Sequence, residues 1–260
     1  TKNDFENEGL WKTSLETNKT ELLVAFPEFL SKVEGPAEDL EYYNESILYL
    51  FHSKFNRQNT RILQVLRGLK NNEGRDASLF SMNTDGSNLK QCLTREYWNQ
   101  KADFGGSGNH PNWHPDGEHV VMNCIPQWLG YKNMMFCQFK YDGSEFKILS
   151  EMHLGSGHAS VNPDSSYLLA DTYPKQKWIP SPKDEVPIRL IDLNTDEEQM
   201  ICSVPTNVGN NGNHYKKGEL GSHYKLDPHP VWSRDYKKVC FNGAPEGKRQ
   251  VFIADLNRLI

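Results

Sequence analysis

The chain has 260 residues, with 29 Lys+Arg against 34 Asp+Glu, a formal net charge of −5 and 37% hydrophobic residues. This is a globular composition, long enough for one large all-β domain or two small ones. The mild acidity excludes the basic face of a general nucleic-acid binder, and the longest apolar runs, such as Ile47–Phe51 and Val120–Met122, fall far short of the ~20 residues of a membrane helix.

In chain order, the first predicted element is a hairpin over Leu10–Leu23 with its turn at Glu16-Thr17-Asn18. Asp39–Ser53 reads as a second hairpin, in which Tyr42-Tyr43-Asn44-Glu45-Ser46 leads into the strand Ile47–Phe51. Arg61–Lys70 is the one short stretch with helical spacing, inside an apparent insertion. Leu79–Cys92 follows as a hairpin around Thr84-Asp85-Gly86-Ser87. His110-Pro-Asn-Trp-His-Pro-Asp-Gly then turns into the strand Glu118–Cys124, and Met135–Leu149 turns at Asp142-Gly143-Ser144. His158-Ala-Ser-Val-Asn-Pro-Asp-Ser leads into Tyr167–Asp171, and a Pro/Lys-rich loop, Lys175–Pro187, precedes the hairpin Ile188–Cys202. His229-Pro-Val-Trp-Ser-Arg-Asp-Tyr leads into Lys237–Asn242, and a last strand begins at Val251–Leu256.

Two kinds of hairpin alternate with a period of about 45 residues, the size of a four-stranded propeller blade. The expected fold is an all-β propeller, one domain over residues 1–260. There are four inner hairpins against five outer ones, the first outer one lacking an inner partner and the last cut off by the chain end. That count predicts about four and a half blades of a longer, six- to eight-bladed ring lacking its N-terminal blades. The five cysteines, Cys92, Cys124, Cys137, Cys202 and Cys240, form no C-x-x-C pair and read mostly as buried strand residues rather than a disulfide framework.

His110, His158 and His229 hold the same repeat position, at the start of the inner strand that lines a propeller's channel. Imidazoles converging there suit a divalent ion, with a turn-capping role as the alternative; Asp227 could add an oxygen ligand, although a solvated turn Asp is the reading its position favours. His214, His223 and Cys202 are further possible ligands without a recognisable zinc spacing, and His114 and His153 read as solvent-facing loop residues. Tyr173 and Arg189 flank the Pro/Lys-rich loop at opposite ends of adjacent antiparallel strands, where both could face one pocket; a core Tyr and a surface Arg are the alternative.

The segments His110-Pro-Asn-Trp, Gly155-Ser-Gly-His158, Asp171-Thr-Tyr173-Pro, Pro187-Ile-Arg189-Leu-Ile-Asp192 and Tyr224-Lys-Leu-Asp-Pro-His229-Pro-Val-Trp, with Glu246-Gly-Lys-Arg-Gln-Val-Phe, resemble the β-propeller polysaccharide lyases, namely the ulvan lyases and oligogalacturonate lyases. The resemblance implies a seven-bladed propeller that cleaves a uronic-acid-containing polysaccharide by β-elimination. On the ulvan lyase pattern His110, Tyr173 and Arg189 are catalytic, with Arg189 neutralising the uronate carboxylate and His110 or Tyr173 moving the proton. Asn123 and Gln127 stand where that family has a second active-site His, and with His158 they are the expected substrate-binding residues. On the oligogalacturonate lyase pattern His158 and His229, joined by Asp227, hold a divalent ion (zinc, manganese or calcium), structural or catalytic. The expected partner is an acidic polysaccharide or oligosaccharide, with no nucleic acid and no membrane, and the chain is expected to act as a monomer. Polymer substrates imply a secreted or periplasmic protein; an oligosaccharide substrate would allow a cytoplasmic one. A non-catalytic propeller that binds glycans or proteins is the third reading.

Overall fold

The structure is a computed structural model that describes residues 5–70, 75–103, 107–173, 179, 185–206, 226–257 and 259–260. The chain divides into two compact units, residues 1–148 and 149–260. Every sheet in them is an antiparallel meander of neighbouring strands, as expected for propeller blades.

The first unit opens with the hairpin β1 (Gly9–Thr13) and β2 (Thr20–Ala25), followed by two short helices, α1 (Phe26–Leu30) and α2 (Ala37–Glu45). A complete blade follows: β3 (Ile47–Phe55), β4 (Arg61–Leu69), β5 (Arg75–Asn83) and β6 (Lys90–Leu93). After α3 (Arg95–Trp98) comes the second blade, β7 (Asn109–Trp113), β8 (His119–Cys124), β9 (Met135–Lys140) and β10 (Lys147–Ile148). The second unit holds a third complete blade, β11 (Ser160–Val161), β12 (Tyr167–Ala170), β13 (Glu185–Asp192) and β14 (Glu197–Pro205). A three-stranded sheet, β15 (Val231–Trp232), β16 (Lys238–Gly243) and β17 (Gln250–Asp255), ends it. No described helix is long and apolar enough to cross a membrane.

Two expectations fail in the first blade. Arg61–Lys70 is not helical: it is the strand β4, paired along its length with β3 and β5. Its run Ile62–Leu66 is buried throughout, and a strand covered on both faces shows no alternation, so periodicity misreads it. The hairpin placed at Asp39–Ser53 is shifted. Residues 37–45 form α2, and the true inner hairpin is β3–β4 with its turn at 56–60. Arg95 holds α2 in place by pairing with Asp39 and Asp76 and lying over the Tyr42 ring.

The turns share one device. Asp85, Asp142 and Asp164 each accept, through Oδ1, the backbone N–H two residues on and that residue's Ser hydroxyl. Asp116 and Asp192 seal their turns through backbone N–H groups, and Asp116 Oδ2 also meets the His119 ring at 2.7 Å. This is the local side-chain competition that makes Asp a turn former. Inner hairpins add a second seal, in which Asn56 Oδ1 accepts from Thr60 and Arg61, Asn162 Oδ1 from Tyr167, and Ser233 Oγ from Lys238. At the same repeat position His114 is buried rather than solvent-facing, with its Nδ1 accepting from Asp116 N–H.

Neighbouring inner strands are latched by tryptophan. Trp113 Nε1 donates to Lys54 O at 2.9 Å, and in the second unit Trp232 Nε1 donates to Ser160 O at 3.5 Å. Trp113→Phe keeps most of the buried ring but leaves the Lys54 carbonyl without this donor. Urea unfolding is expected to show a loss of about 1 kcal/mol, and an unchanged midpoint would discount the latch.

Candidate metal centre in the second unit

Asp171 follows β12 directly and is completely buried. A carboxylate removed from water must be matched by donors. Its Oδ1 accepts the His158 backbone N–H at 2.6 Å, both oxygens lie 3.0 Å from His158 Nδ1, and Oδ2 accepts the His229 backbone N–H at 3.0 Å. One buried charge therefore positions two histidines from adjacent blades. Their rings lie nearly perpendicular with centroids 3.7 Å apart. Gly157, at φ +59°, admits this approach, because a Cβ there would fall 2.1 Å from Asp171 Oδ1.

Donor atoms of His158, Asp227 and His229 lie within 4.8 Å of one another. Atoms bound to one ion at about 2.0–2.2 Å are separated by up to roughly 4 Å, so small rotamer changes close the set. Asp171 on His158 Nδ1 leaves Nε2 as the nitrogen that would ligate an ion, the carboxylate–histidine arrangement that fixes tautomer and ring orientation at metal sites. Two imidazoles and one carboxylate fit zinc or manganese. They do not fit calcium, which takes 6–8 oxygens. His214 and His223 lie outside the described residues, as does most of Lys175–Pro187.

Tyr173 stands beside this cluster, its ring centroid 5.8 Å from that of His158. Burial pushes its phenol upward, and the Asp171 and Asp227 carboxylates push it further, so it holds its proton. Arg189 does not meet the expectation of a cation open to a substrate carboxylate. It is 2% exposed, its Nε and Nη2 fork onto Glu198 at 2.9 and 2.7 Å, and its Nη1 donates to Leu154 O. A guanidinium on an otherwise apolar strand is stabilised only by such a partner, and β14 provides it. His153 joins the same carboxylate through Nδ1 at 3.0 Å, so it too is not simply a solvent-facing loop residue.

The remaining predicted residues belong to the first unit. Asn123 is fully buried and donates to Asn109 Oδ1, bracing β7 against β8 rather than offering itself to a substrate. Gln127 is exposed and donates to Lys101 O. His110 sits at φ +51° in a β-bulge, 5.6 Å between ring centroids from His52, which sits at φ +54° in the matching bulge of β3. His52 is the fourth member of the histidine series. It precedes Phe55 by three and Asn56 by four, as His110 precedes Trp113 and His114, and that offset is the signal that would have found it. Beside the pair, Lys54 donates to Pro111 O at 2.8 Å, and burial lowers its ammonium to about 8.

Asp171→Asn removes the charge that orients both histidines. Affinity for zinc or manganese is expected to fall about 10–100-fold by calorimetric titration, whereas an unchanged affinity would separate Asp171 from the cluster. For Lys54, the unfolded side chain keeps its proton up to about 10.4, whereas the folded one releases it near 8. The unfolded state thus binds more protons between those values, so stability rises with pH across that window. Urea unfolding at pH 8 and pH 10 checks this, with Lys54→Met expected to flatten that part of the profile.

No family model and no curated protein matches the chain. Among solved structures, an oligogalacturonate lyase in complex with manganese superposes with TM-score 0.62 at 16% identity, over 95% of this chain and 54% of that one. An oligogalacturonate lyase from Vibrio parahaemolyticus gives 0.57 at 16% identity, over 95% and 54%. TolB from Acinetobacter baumannii gives 0.52 at 12% identity, over 94% and 45%. The chain spans about half the length of these lyase structures. At such identities the likeness establishes the fold alone, and the chain has a β-propeller fold.

Proposed function

We propose that the second unit carries the centre of a divalent-metal-dependent lyase that cleaves a uronic-acid-containing saccharide by β-elimination. The reading is of the oligogalacturonate rather than the ulvan type. The observation that carries it is the convergence of His158, Asp227 and His229 donor atoms over the buried Asp171. The likeness to a manganese-bound oligogalacturonate lyase supports the same choice.

Elimination removes the C5 proton of a uronate, forms the C4=C5 double bond and breaks the C4–O bond, and the departing oxygen takes up a proton. C5–H is weakly acidic, so the carboxylate beside it must be neutralised as negative charge develops. When bound by His158, Asp227 and His229, a divalent ion would supply that neutralisation as a Lewis acid, the task first expected of Arg189. Asp171 holds the His158 ring in one tautomer and fixes the His229 backbone, so the donors need little reorganisation. The Tyr173 hydroxyl, beside His158, is the group assigned to proton transfer, delivering its own proton to the departing oxygen and taking up the C5 proton in exchange, so that the phenol ends as it began. The half-buried setting of Tyr173 restricts competing water.

Formation of the unsaturated uronate product is followed by ultraviolet absorbance. The whole protein is incubated with oligogalacturonate, polygalacturonate or ulvan, with manganese or zinc, and with or without a chelator. The expected result is product from a galacturonate substrate that depends on added metal. His229→Ala is expected to abolish it, and Tyr173→Phe to slow it about 10²–10⁴-fold. Product that persists under chelation would overturn the metal role, and no product from any substrate would overturn the lyase reading.

A further inference from the structure

Away from the histidines, the first unit contains a cavity of about 230 Å³ lined by the rings of Tyr97, Trp128 and Phe146 and by Gln91, Glu34 and Asp142. Tyr97 comes from α3 and Trp128 from a single 3-10 turn at Gln127–Leu129. The rings form a packed row: Tyr97 and Trp128 have centroids 4.3 Å apart, and Trp128 and Phe146 5.1 Å. Phe146 in turn stacks on Phe139, a fully buried core residue. The far end of the row stays open, with Trp128 38% and Tyr97 37% exposed. Large aromatic rings left side by side in water forgo burial energy, the usual mark of a binding surface.

The polar groups are as informative. Gln91 is 7% exposed. Its Oε1 accepts from Glu34 N–H at 2.5 Å, while its Nε2 donors meet no acceptor among the described residues. Buried donors are almost always paired, and because Nε2 is shielded as the side chain stands, a small turn of the Gln91 amide would bring it to an acceptor in the cavity. The Glu34 and Asp142 carboxylates add acceptors at the same cavity, with Asp142 Oδ1 already engaged by Ser144.

Three ligand chemistries compete for such a site. A quaternary ammonium needs a gap between ring faces, whereas these rings pack against one another, and it offers Gln91 nothing to accept with. An anionic sugar would place its carboxylate near those of Glu34 and Asp142. A neutral pyranose satisfies all three features: its C–H face suits the negative face of an aromatic ring, its hydroxyls accept from Gln91 Nε2, and they donate to the carboxylates. The volume lies below the range of about 300–1,000 Å³ for drug-sized ligands and suits one ring. We propose that this cavity is a glycan-binding subsite for a non-ionic pyranose unit, with Trp128 and Tyr97 as its stacking platform. The inference is independent of the lyase reading.

Saturation-transfer NMR and calorimetry on the whole protein test it with the methyl glycosides of glucose, galactose and rhamnose, alongside glucuronate and choline. At least one neutral glycoside is expected to bind with a dissociation constant of about millimolar, as suits so small a ligand. Trp128→Ala is expected to weaken it about tenfold or more, and Gln91→Leu about fivefold. Circular dichroism verifies folding, and Tyr97→Ala serves as a second platform variant if Trp128→Ala unfolds. The proposal is overturned if no neutral glycoside binds at tens of millimolar, as when water alone satisfies Gln91. Glucuronate or choline binding as tightly would overturn it too, as would glycoside binding indifferent to both aromatic variants.

Discussion

A single buried carboxylate organises the second unit. Asp171 has no access to water and compensates with the two backbone N–H groups and one imidazole nitrogen that surround it. Removing its charge from solvent would cost several kcal/mol if left unmatched. The partners it recruits lie just before two successive inner strands, so the charge joins blade to blade, fixing the His158 ring and the His229 backbone. Gly157 is required at the position that would otherwise crowd it.

The same economy governs the rest of the molecule. Each blade is short, and its strands are closed by turn residues whose side chains satisfy the backbone locally, an Asp or Asn for most turns and a Ser or His at the others. Neighbouring inner strands are tied by few but specific bonds, chiefly the tryptophan latches and Lys54 to Pro111. The bulges bearing His52 and His110 place non-glycine residues at positive φ, strain that persists only where surrounding packing imposes it and that tends to mark functional positions.

Arg189 and Lys54 show how sites and scaffold trade roles. Both are cations on inner or middle strands, and each is committed by its neighbours, Arg189 to Glu198 and Lys54 to a backbone carbonyl. An Arg two residues after a loop rich in Pro and Lys reads either as a pocket residue or as an ordinary surface one. Its true surroundings depend on Glu198, nine positions on across a hairpin whose register shifts between Ile188 and Arg189. That bulge is invisible in the order of residues, and it decides which side chains share a face.

What the residues determined unaided is local: the Asp and Asn turns, the alternating hairpins, the repeat of His, hydrophobe and turn-sealing residue, and hence the propeller. These rest on contacts within a few positions of each other, so spacing alone reveals them. Where locality failed, it failed for a reason. Ile62–Leu66 is buried on both faces and carries no period, and His52 is hidden because Asn56 and Phe55 replace the His and Trp of its counterpart. Only the tertiary structure decided that Asp171 binds His158 and His229, that Asp227 joins them, that Asn123 is buried and that Gln91 faces an aromatic cavity. Each of those facts is a meeting of groups from different strands or loops, and long-range convergence is set by packing rather than by order along the chain.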